Sequence, residues 1–343
     1  MHQKLSLKDF AHAIGLSTTQ VSNAISGNGR VSPATRELVQ QKMHELHYIP
    51  NSNAKRLGSG HSYLVGFSIL GFETTSDPYV MHLIRSVMKP LAEHGYDLTL
   101  TIADNEAQLI STLRKHSSSR SHDAAIVLGC RDLIREYAHE IAAPHHPCVC
   151  IDRDAVDGIA HVGFVVEALA EGMQQVVDQL VALGHVNIGF IDHAETDELV
   201  HHFQTALELH GLQLRRDLFI TGGVNADDGA MAFRRLMATA NPPTAIMART
   251  DVLAIGAVLE AERLGIRVPG DVSVIGHDDL PLLMPRQAEL ASVHLDMEAI
   301  GKAAVDLVFE LLQNPGTIAA PRVVKPQLIV RTSIGPNPRI QRS

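Results

Sequence analysis

The sequence predicts a small all-α N-terminal region followed by an α/β body built on doubly wound parallel sheets. Two observations support this. Apolar residues recur at helical spacing within residues 6–47, and after Tyr63 short apolar runs alternate with amphipathic helical stretches. The chain has 343 residues, which is long enough for two or three domains with a substantial buried core.

Residues 6–25 have the spacing of a helix-turn-helix. Ser6 can cap a first helix, with Asp9 three residues on in a capping-box position. Gly15 tolerates a positive φ and so supplies the turn, and Ser17 can cap the second helix. Four apolar residues at positions i, i+3, i+4 and i+7 line one face of the first helix: Leu7, Phe10, Ala11 and Ile14.

The second helix has an apolar inner face and a polar outer face. Val21, Ala24 and Ile25 point inward, and a third helix begins at Ser32-Pro33 and runs to about His47. Short polar side chains suit base edges in a major groove, although a three-helix core with a merely solvated polar face has the same pattern. The outer residues are Thr18, Thr19, Gln20, Ser22 and Asn23.

A short basic segment, residues 51–57, follows the third helix and is too short to be a stable helix alone. Together with it, TTQVSNAISG, RVSPATRE and YIPNSNAKRLGSG resemble the head and hinge of the lactose-repressor (LacI/GalR) family of transcriptional regulators. Body motifs extend the resemblance over nearly the whole chain: DPY at 77–79, IDR at 151–153, LGHVNIGFI at 183–191, PPTAIMARTD at 242–251, GIRVPGDVSVIGHDDL at 265–280 and LASVHLDMEAIGKAAVDLV at 290–308.

The resemblance implies a periplasmic-binding-protein-like body of two doubly wound lobes behind a helix-turn-helix head and a hinge helix. The expected domains are 1–50 for the head, 51–61 for the hinge and linker, 62–161 plus 291–328 for the first effector-binding lobe, 162–290 for the second lobe, and 329–343 for the tail. The tail from about Ile334 reads as disordered.

The resemblance also implies a homodimer on a palindromic operator in double-stranded DNA. Thr18, Thr19 and Asn23 would read bases, with Gln20 and Ser22 more peripheral. Phosphates would be contacted by Ser17, Arg30 and Asn51. The hinge would fold in the minor groove, where its contacts are Ala54, Lys55, Arg56 and Leu57.

Charge is distributed unevenly. The net charge of −9 argues against a DNA partner, but residues 1–60 hold seven Lys and Arg against three acids. The remaining residues carry 22 basic and 35 acidic side chains. A basic head on an acidic body concentrates the attraction to phosphate where contact is made.

Several other classes of protein are not indicated. The chain has no GxxxxGK[ST], GxSxG or HExxH motif and no GxGxxG after a strand, so we predict neither an enzyme nor a bound cofactor. Cys148 and Cys150 alternate with apolar residues in CVCID, which favours a buried strand over a metal site. No run reaches the ~18 apolar residues of a membrane span, and the N-terminus has no apolar leader. We therefore expect the protein to be located in the cytoplasm.

The body pattern gives nine candidate strands and eight candidate helices. The strands are expected at 63–69, 97–102, 124–128, 148–151, 187–191, 218–221, 245–247, 272–275 and 292–295. The helices are expected at about 79–94, 104–116, 131–142, 167–183, 195–210, 226–239, 251–264 and 297–312.

Polar residues that follow these strands predict a ligand cleft. In open α/β lobes, ligands bind beyond the carboxyl ends of the strands, and carboxylates and a guanidinium there suit sugar hydroxyls. The resemblance makes these residues effector contacts, although Asp251 could equally cap the helix that it opens. The predicted contacts are Tyr79, Asp152, Arg153, Asp251, His277 and Asp278.

Two departures from the family weaken a simple sugar site. Where the family usually has an Asp-Asn pair, this chain has residues 165–169, VVEAL, and Leu199 stands where the family has Arg. We therefore expect a less polar pocket and an altered glycoside or a non-sugar effector. The sequence predicts a repressor of a carbohydrate-related operon; the alternative is a small-molecule-binding protein or sugar-processing enzyme with a vestigial head.

Overall fold

The computed structural model describes residues 5–26, 31–48, 59–71, 78–152, 154–156, 158–193, 198–279, 281 and 286–340. The chain divides into two compact units, Met1–Tyr63 and Leu64–Ser343.

The first unit contains three helices, α1 (Leu7–Ala13), α2 (Thr18–Ser26) and α3 (Pro33–Glu45). The predicted Ser6–Asp9 capping box is present, and Ser32 caps α3 with Pro33 in its first turn. Gly15 has φ 70°, as a tight turn between α1 and α2 requires. The core is small: Phe10, Ala11, Val21, Ala24, Val39 and Tyr48 are buried.

Two six-stranded sheets form the second unit, which confirms the predicted two-lobed α/β body. The first has the order β11-β5-β4-β3-β1-β2 and is wholly parallel. Its strands are β1 (Leu64–Leu70), β2 (Asp97–Ala103), β3 (Ala124–Leu128), β4 (Cys148–Asp152), β5 (Val162–Glu167) and β11 (Arg322–Val324).

The second sheet has the order β12-β10-β9-β8-β6-β7, and only the β10–β12 pair is antiparallel. Its strands are β6 (Ile188–Asp192), β7 (Phe219–Thr221), β8 (Ala245–Ala248), β9 (Ser273–Asp278), β10 (Ala291–His294) and β12 (Gln327–Ile329).

Eight helices cover the two sheets within the described residues, close to the predicted ranges. They are α4 (Pro78–Glu93), α5 (Glu106–Ser119), α6 (Arg131–Ile141), α7 (Leu169–Ala182), α8 (Glu198–Leu209), α9 (Ala226–Met237), α10 (Asp251–Arg263) and α11 (Met297–Gln313). The chain returns to the first lobe for α11, which packs on α4, β4 and β5.

The structure corrects the predicted lobe boundaries. We expected the second lobe to start at residue 162, but β5 pairs with β4 in the first sheet. We expected 291–328 in the first lobe, but β10 pairs with β9 in the second sheet and β12 pairs with β10. Three strands, β5, β11 and β12, were not predicted. The sequence of β5, VGFVVE, overlaps the start of the helix predicted at 167–183, and β11 and β12 have only three residues each.

The predicted disorder from Ile334 onward is wrong for residues 334–340. Just before them, the Oγ of Ser333 donates a 2.6 Å hydrogen bond to the carbonyl of Val274 in β9. Ile334 and Asn337 are buried, and the Asn337 amide donates to the carbonyl of Gly184 at 2.7 Å. Residues 333–340 therefore pack against the second lobe, at β9 and at the turn that follows α7.

The CVCID strand is buried as predicted, with Cys148 and Cys150 fully covered. Burial raises the pKa of the Cys148 thiol to about 12, which is expected of a small apolar side chain in a sheet. Among the described residues, no three His, Cys, Asp or Glu side chains are grouped to hold a metal ion. None of the described helices is both long and apolar enough for a membrane span.

Candidate nucleic-acid interface and effector cleft

The outer face of α2 carries the polar residues expected of a base-reading helix. Thr18, Thr19 and Ser22 are exposed and Asn23 is half-buried. The predicted inner residues Val21 and Ala24 are buried, and Ile25 packs against them. A stacked contact between Phe10 and Tyr48, with ring centroids 4.2 Å apart, ties α1 to the end of α3. The apolar face of α2 therefore packs in the core with residues of α1 and α3, and its polar face is largely exposed.

Ser17 and Gln20 form a capping box at the start of α2. The backbone N–H of Gln20 donates to Ser17 Oγ at 3.2 Å, and Oε1 of Gln20 accepts from the Ser17 backbone N–H at 3.0 Å. The amide oxygen of Gln20 is thus engaged within the helix cap. This agrees with a peripheral position for Gln20 in base reading.

Seven predicted site residues lie outside the described residues: Arg30, Asn51, Ala54, Lys55, Arg56, Leu57 and Arg153.

A cavity of about 440 Å³ lies in the second unit, where the carboxyl ends of strands from both sheets meet. Its volume is within the range of small-molecule sites, roughly 300–1,000 Å³. Four of the predicted effector residues line it: Tyr79, Asp152, His277 and Asp278. Much of the remaining wall is apolar, formed by Leu70, Val80, Leu128, Ile151, Leu169, Leu199 and Leu295.

Tyr79 and Glu167 form one polar pair of the first lobe. Tyr79 lies at the start of α4, and its hydroxyl donates a hydrogen bond to the carboxylate of Glu167 at the end of β5. Glu167 is 6 % exposed and was not among the predicted contacts. It lies in the VVEAL stretch, so a carboxylate enters the cavity where the sequence suggested its loss.

Asp152 is held at the carboxyl end of β4. Its Oδ2 accepts a 2.9 Å hydrogen bond from the backbone N–H of Arg131, which opens α6. Cys130 lies beside it in the cavity wall, and burial together with Asp152 raises the pKa of the Cys130 thiol to about 11. That thiol is therefore protonated at neutral pH and is a poor nucleophile.

His277 and Asp278 come from the second lobe. Nδ1 of His277 lies 2.8 Å from Oδ1 of Asp278, and both residues are buried. Asp279 faces a different environment, where its carboxylate lies 2.6 Å from Nη1 of Arg331. The two adjacent aspartates therefore have different partners, and the backbone there has positive φ values of 98° and 51°.

Asp251 does not line the cavity, contrary to the prediction. It opens α10, is 2 % exposed, and accepts a 2.6 Å hydrogen bond from Ser292 Oγ in β10. Burial, aided by the nearby Asp278 carboxylate, raises its pKa to about 8. A Cβ atom at Gly276 would come within 2.1 Å of Oδ1 of Asp251, so the carboxyl fits only against a glycine.

Arg249 and His193 complete the polar wall of the second lobe. Nε of Arg249 lies 3.9 Å from Oδ1 of Asp192, which is fully buried at the end of β6. The same oxygen lies 3.1 Å from Nδ1 of His193. The pocket therefore has a guanidinium from β8, although Leu199 replaces the expected one on α8. Glu167 and Arg249 bring a carboxylate and a guanidinium into a wall that is otherwise largely apolar.

A three-helix head with an open polar helix, on a chain that continues into a two-lobed body with a ligand-sized cleft, defines a regulatory DNA-binding protein. Comparison with known sequences agrees. Residues 6–51 match the model of bacterial regulatory proteins of the lacI family, and residues 177–334 match a periplasmic binding protein-like domain. The chain belongs to the LacI family of bacterial regulatory proteins, and it is a DNA-binding transcriptional repressor rather than an enzyme.

Similar proteins extend over nearly the whole chain. The probable HTH-type transcriptional repressor ExuR of Bacillus subtilis is 26 % identical over 96 % of this chain and 98 % of its own length. The HTH-type transcriptional repressor PurR of Erwinia tasmaniensis is 28 % identical over 97 % of this chain and 98 % of its own.

Solved structures share the fold. A Lac repressor dimer bound to operator and the anti-inducer ONPF has a TM-score of 0.78 at 21 % identity, covering 97 % of this chain and all of the other. The transcriptional regulator CelR in complex with cellobiose has a TM-score of 0.68 at 24 % identity, covering 96 % of this chain and 99 % of that one.

Proposed function

We propose that this repressor binds a palindromic operator as a homodimer and that a small hydroxylated molecule in the cleft of the body controls its affinity for DNA. The observation that supports this most directly is the cavity, which gathers polar residues from the strand ends of both lobes. A ligand that contacts both lobes binds their closed arrangement better than their open one. It can thereby shift operator affinity by the ~1–3 kcal/mol typical of allosteric coupling.

On the DNA side, α2 would enter the major groove, with Thr18, Thr19 and Asn23 on base edges and Gln20 and Ser22 nearer the rim. Ser17, Arg30 and Asn51 would position the head on phosphates. Residues 51–57 would order as a hinge on the minor groove, with Leu57 at a central base step and Ala54, Lys55 and Arg56 around it. The Lac repressor structure is that of a dimer on its operator, which supports the same assembly here.

On the ligand side, Tyr79, Asp152, Glu167, His193, Arg249, His277 and Asp278 would contact the effector. Arg153 follows Asp152 directly in the sequence and would contact the effector too. Asp251 would instead support the cavity wall through its hydrogen bond with Ser292. CelR was solved with cellobiose and Lac repressor with ONPG, which supports a sugar or glycoside as the general class. Because its DNA partner is the chromosome, we place the protein in the cytoplasm.

Selection of operator DNA from a random library by the full chain tests the proposal. The expected product is a palindrome that binds the protein far more tightly than nonspecific DNA at the same salt concentration. Addition of sugars and glycosides should then change the retained fraction for at least one compound. A chain that selects no sequence, or that cleaves a sugar, would instead be a binding protein or enzyme with a vestigial head.

Asn23 provides a sharper test of the base-reading face. Asn23→Ala should relax the preference at one base pair in each half-site, since a bidentate amide contact to adenine is worth about 1–3 kcal/mol of discrimination. Gln40→Ala, an exposed residue of α3 outside the proposed interface, is the matched control and should leave the selected sequence unchanged. An unaltered base preference in Asn23→Ala would remove Asn23 from the residues that read bases.

A further inference from the structure

We propose that Gln175 is a positioning residue of the connection between the two lobes. Its side-chain amide bridges the main chain of Pro326 and Leu328, and this bridge holds one crossing between the sheets rigid. The bridge thereby limits how far the two lobes can move relative to each other. This inference goes beyond the proposed function, and it rests on that function only where it concerns operator affinity.

The chain passes between the two sheets three times within the described part of the body. The three crossings lie at residues 167–169, 294–297 and 324–327. The third crossing joins two strands directly, because β11 ends at Val324 in the first sheet and β12 begins at Gln327 in the second. Only Lys325 and Pro326 lie between these strands.

The backbone of the third crossing has little freedom of its own. The ring of Pro326 fixes its φ at about −65°. A residue before proline is restricted to extended conformations, and this applies to Lys325. Movement of one lobe against the other is absorbed by a few backbone dihedral angles. At this crossing the angles that remain are mainly the ψ of Pro326 and the φ and ψ of Gln327.

Gln175 bonds to the main chain on both sides of these dihedral angles. It lies half-buried in the middle of α7, where its Nε2 donates to the carbonyl of Pro326 at 3.1 Å. Its Oε1 accepts from the backbone N–H of Leu328 at 2.8 Å. One side-chain amide therefore spans Gln327, and a rotation of the main chain there would break one or both hydrogen bonds.

The face of α7 that carries Gln175 lies against the third crossing. Gly172 is one turn earlier, and a Cβ atom at that position would come within 3.0 Å of the ring of Pro326. Ala168 is one turn earlier again, and its backbone N–H donates to the carbonyl of Val324 at 3.1 Å. This spacing of three or four residues keeps all three positions on one side of the helix. The third crossing is thus held at three successive points.

The same helix connects the third crossing to the cavity. Leu169 in the first turn of α7 lines the cavity, as does Glu167 just before the helix. A ligand that displaces this part of the wall would move the start of α7, and Gln175 would transmit that movement to the third crossing. The bridge therefore places part of the cavity wall and one connection between the lobes on a single rigid element.

Pulsed dipolar electron paramagnetic resonance on the full-length protein measures movement of the lobes. Spin labels are attached through Arg135→Cys on α6 and Arg235→Cys on α9, both exposed positions, one in each lobe. The background is Cys130→Ser, because the other two cysteines are fully buried. Excess unlabelled protein leaves one labelled protomer in each dimer. The distance distribution should be broader in Gln175→Met, which keeps the length of the side chain without the amide, than in the wild type.

Gln174→Met is the matched control. It removes the same amide from the neighbouring position, where Nε2 donates within the helix to Asp178 at 2.7 Å, and should leave the distribution unchanged. Gln175→Glu is a second variant, whose ionised carboxylate cannot donate to the carbonyl of Pro326 and should also broaden the distribution. A wild-type width in both Gln175 variants, or equal broadening in Gln174→Met, would overturn the proposal.

Hydrogen exchange of the Leu328 amide reports on the bridge itself. In Gln175→Met this amide should exchange about tenfold faster than in the wild type, as expected for loss of one hydrogen bond in a protein that stays folded. The amides of β9 should keep their protection, which separates loss of the bridge from unfolding of the lobe. Unchanged exchange at Leu328 would mean that Gln175 does not hold the third crossing.

Operator binding separates this inference from the proposed function. If the distribution broadens in Gln175→Met and operator affinity stays at the wild-type value, the bridge stands and control of DNA binding by the lobes is wrong. If affinity changes without any broadening, the bridge is wrong and the proposed control stands. The resonance and exchange measurements need no operator, so they test the bridge even if the chain selects no DNA sequence.

Discussion

The polar face of the head and the polar wall of the cleft differ in how the chain holds them. Thr18, Thr19 and Ser22 project from one nine-residue helix and are exposed. Glu167 and Asp278 are more than 100 positions apart in the chain and are both buried. One surface is fixed by neighbours within a few residues, and the other exists only after two sheets have formed.

The difference has an energetic side. Exposed hydroxyls and amides keep their water until DNA replaces it, so presenting them costs the free head little. Buried carboxylates have lost most of their water and depend on specific partners, such as the Tyr79 hydroxyl for Glu167. We therefore expect substitutions in the small core of the head to unfold it. We expect the properties of the cleft and its surroundings to change with side-chain charge and with pH.

The largest expected effect concerns the core of the head. Phe10→Ala removes a fully buried ring that stacks on Tyr48 in a core of six buried residues, and should destabilise the head by about 3–5 kcal/mol. Amide hydrogen exchange should show loss of protection in α1–α3, and operator binding should be lost. Effector binding to the body, measured by calorimetry, should be unchanged. If the head kept its protection, the view that these few residues hold α2 would be wrong.

Local sequence rules were sufficient for the head and for most elements of the body. The caps at Ser6, Ser17 and Ser32 and the turn at Gly15 were predicted from residues within four positions of each. The same rules located the helices of the body, because their apolar faces repeat at 3.6 residues.

These local rules did not locate the strands and side chains whose positions depend on contacts distant in the sequence. Three-residue strands such as β11 exist because β5 lies beside them, and no local pattern marks them. Arg249 and Glu167 are single polar residues whose entry into the cavity depends on where β8 and β5 end relative to each other. Asp251 has the residue type and the strand-end position expected of a ligand contact. The hydrogen bond from Ser292, 41 residues away, instead holds its carboxyl outside the cavity lining.

The next largest effect is a pH dependence specific to the second lobe. The pKa of Asp251 is raised from 3.8 to about 8, so the folded state binds this proton more tightly than the unfolded state does. The contribution of Asp251 to stability is fully present below pH 3.8, declines as the pH rises, and is lost above about 8. Its slope is about 1.4 kcal/mol per pH unit, or roughly 3 kcal/mol between pH 5 and pH 7.

Asp251→Asn removes this titration while keeping an oxygen that can accept from Ser292. Urea unfolding at pH 5, 6, 7 and 8 should show that wild-type protein loses stability relative to the variant at each step upward. Asp227→Asn is the matched control, because this residue also lies in the first turn of its helix but is exposed. Parallel stability curves for wild type and Asp251→Asn would contradict the assignment of a protonated buried carboxyl.

The smallest effect tests how the base-reading face is held. Ser17→Ala removes the Oγ that accepts from the Gln20 backbone N–H at 3.2 Å, and should destabilise α2 by about 1 kcal/mol. Ser22→Ala changes the same type of side chain on the exposed face and should alter stability by no more than about 0.5 kcal/mol. Hydrogen exchange of the α2 amides in the DNA-free protein measures both variants. Equal protection in the two would mean that packing against Phe10 and Val39, rather than the cap, positions the start of the reading helix.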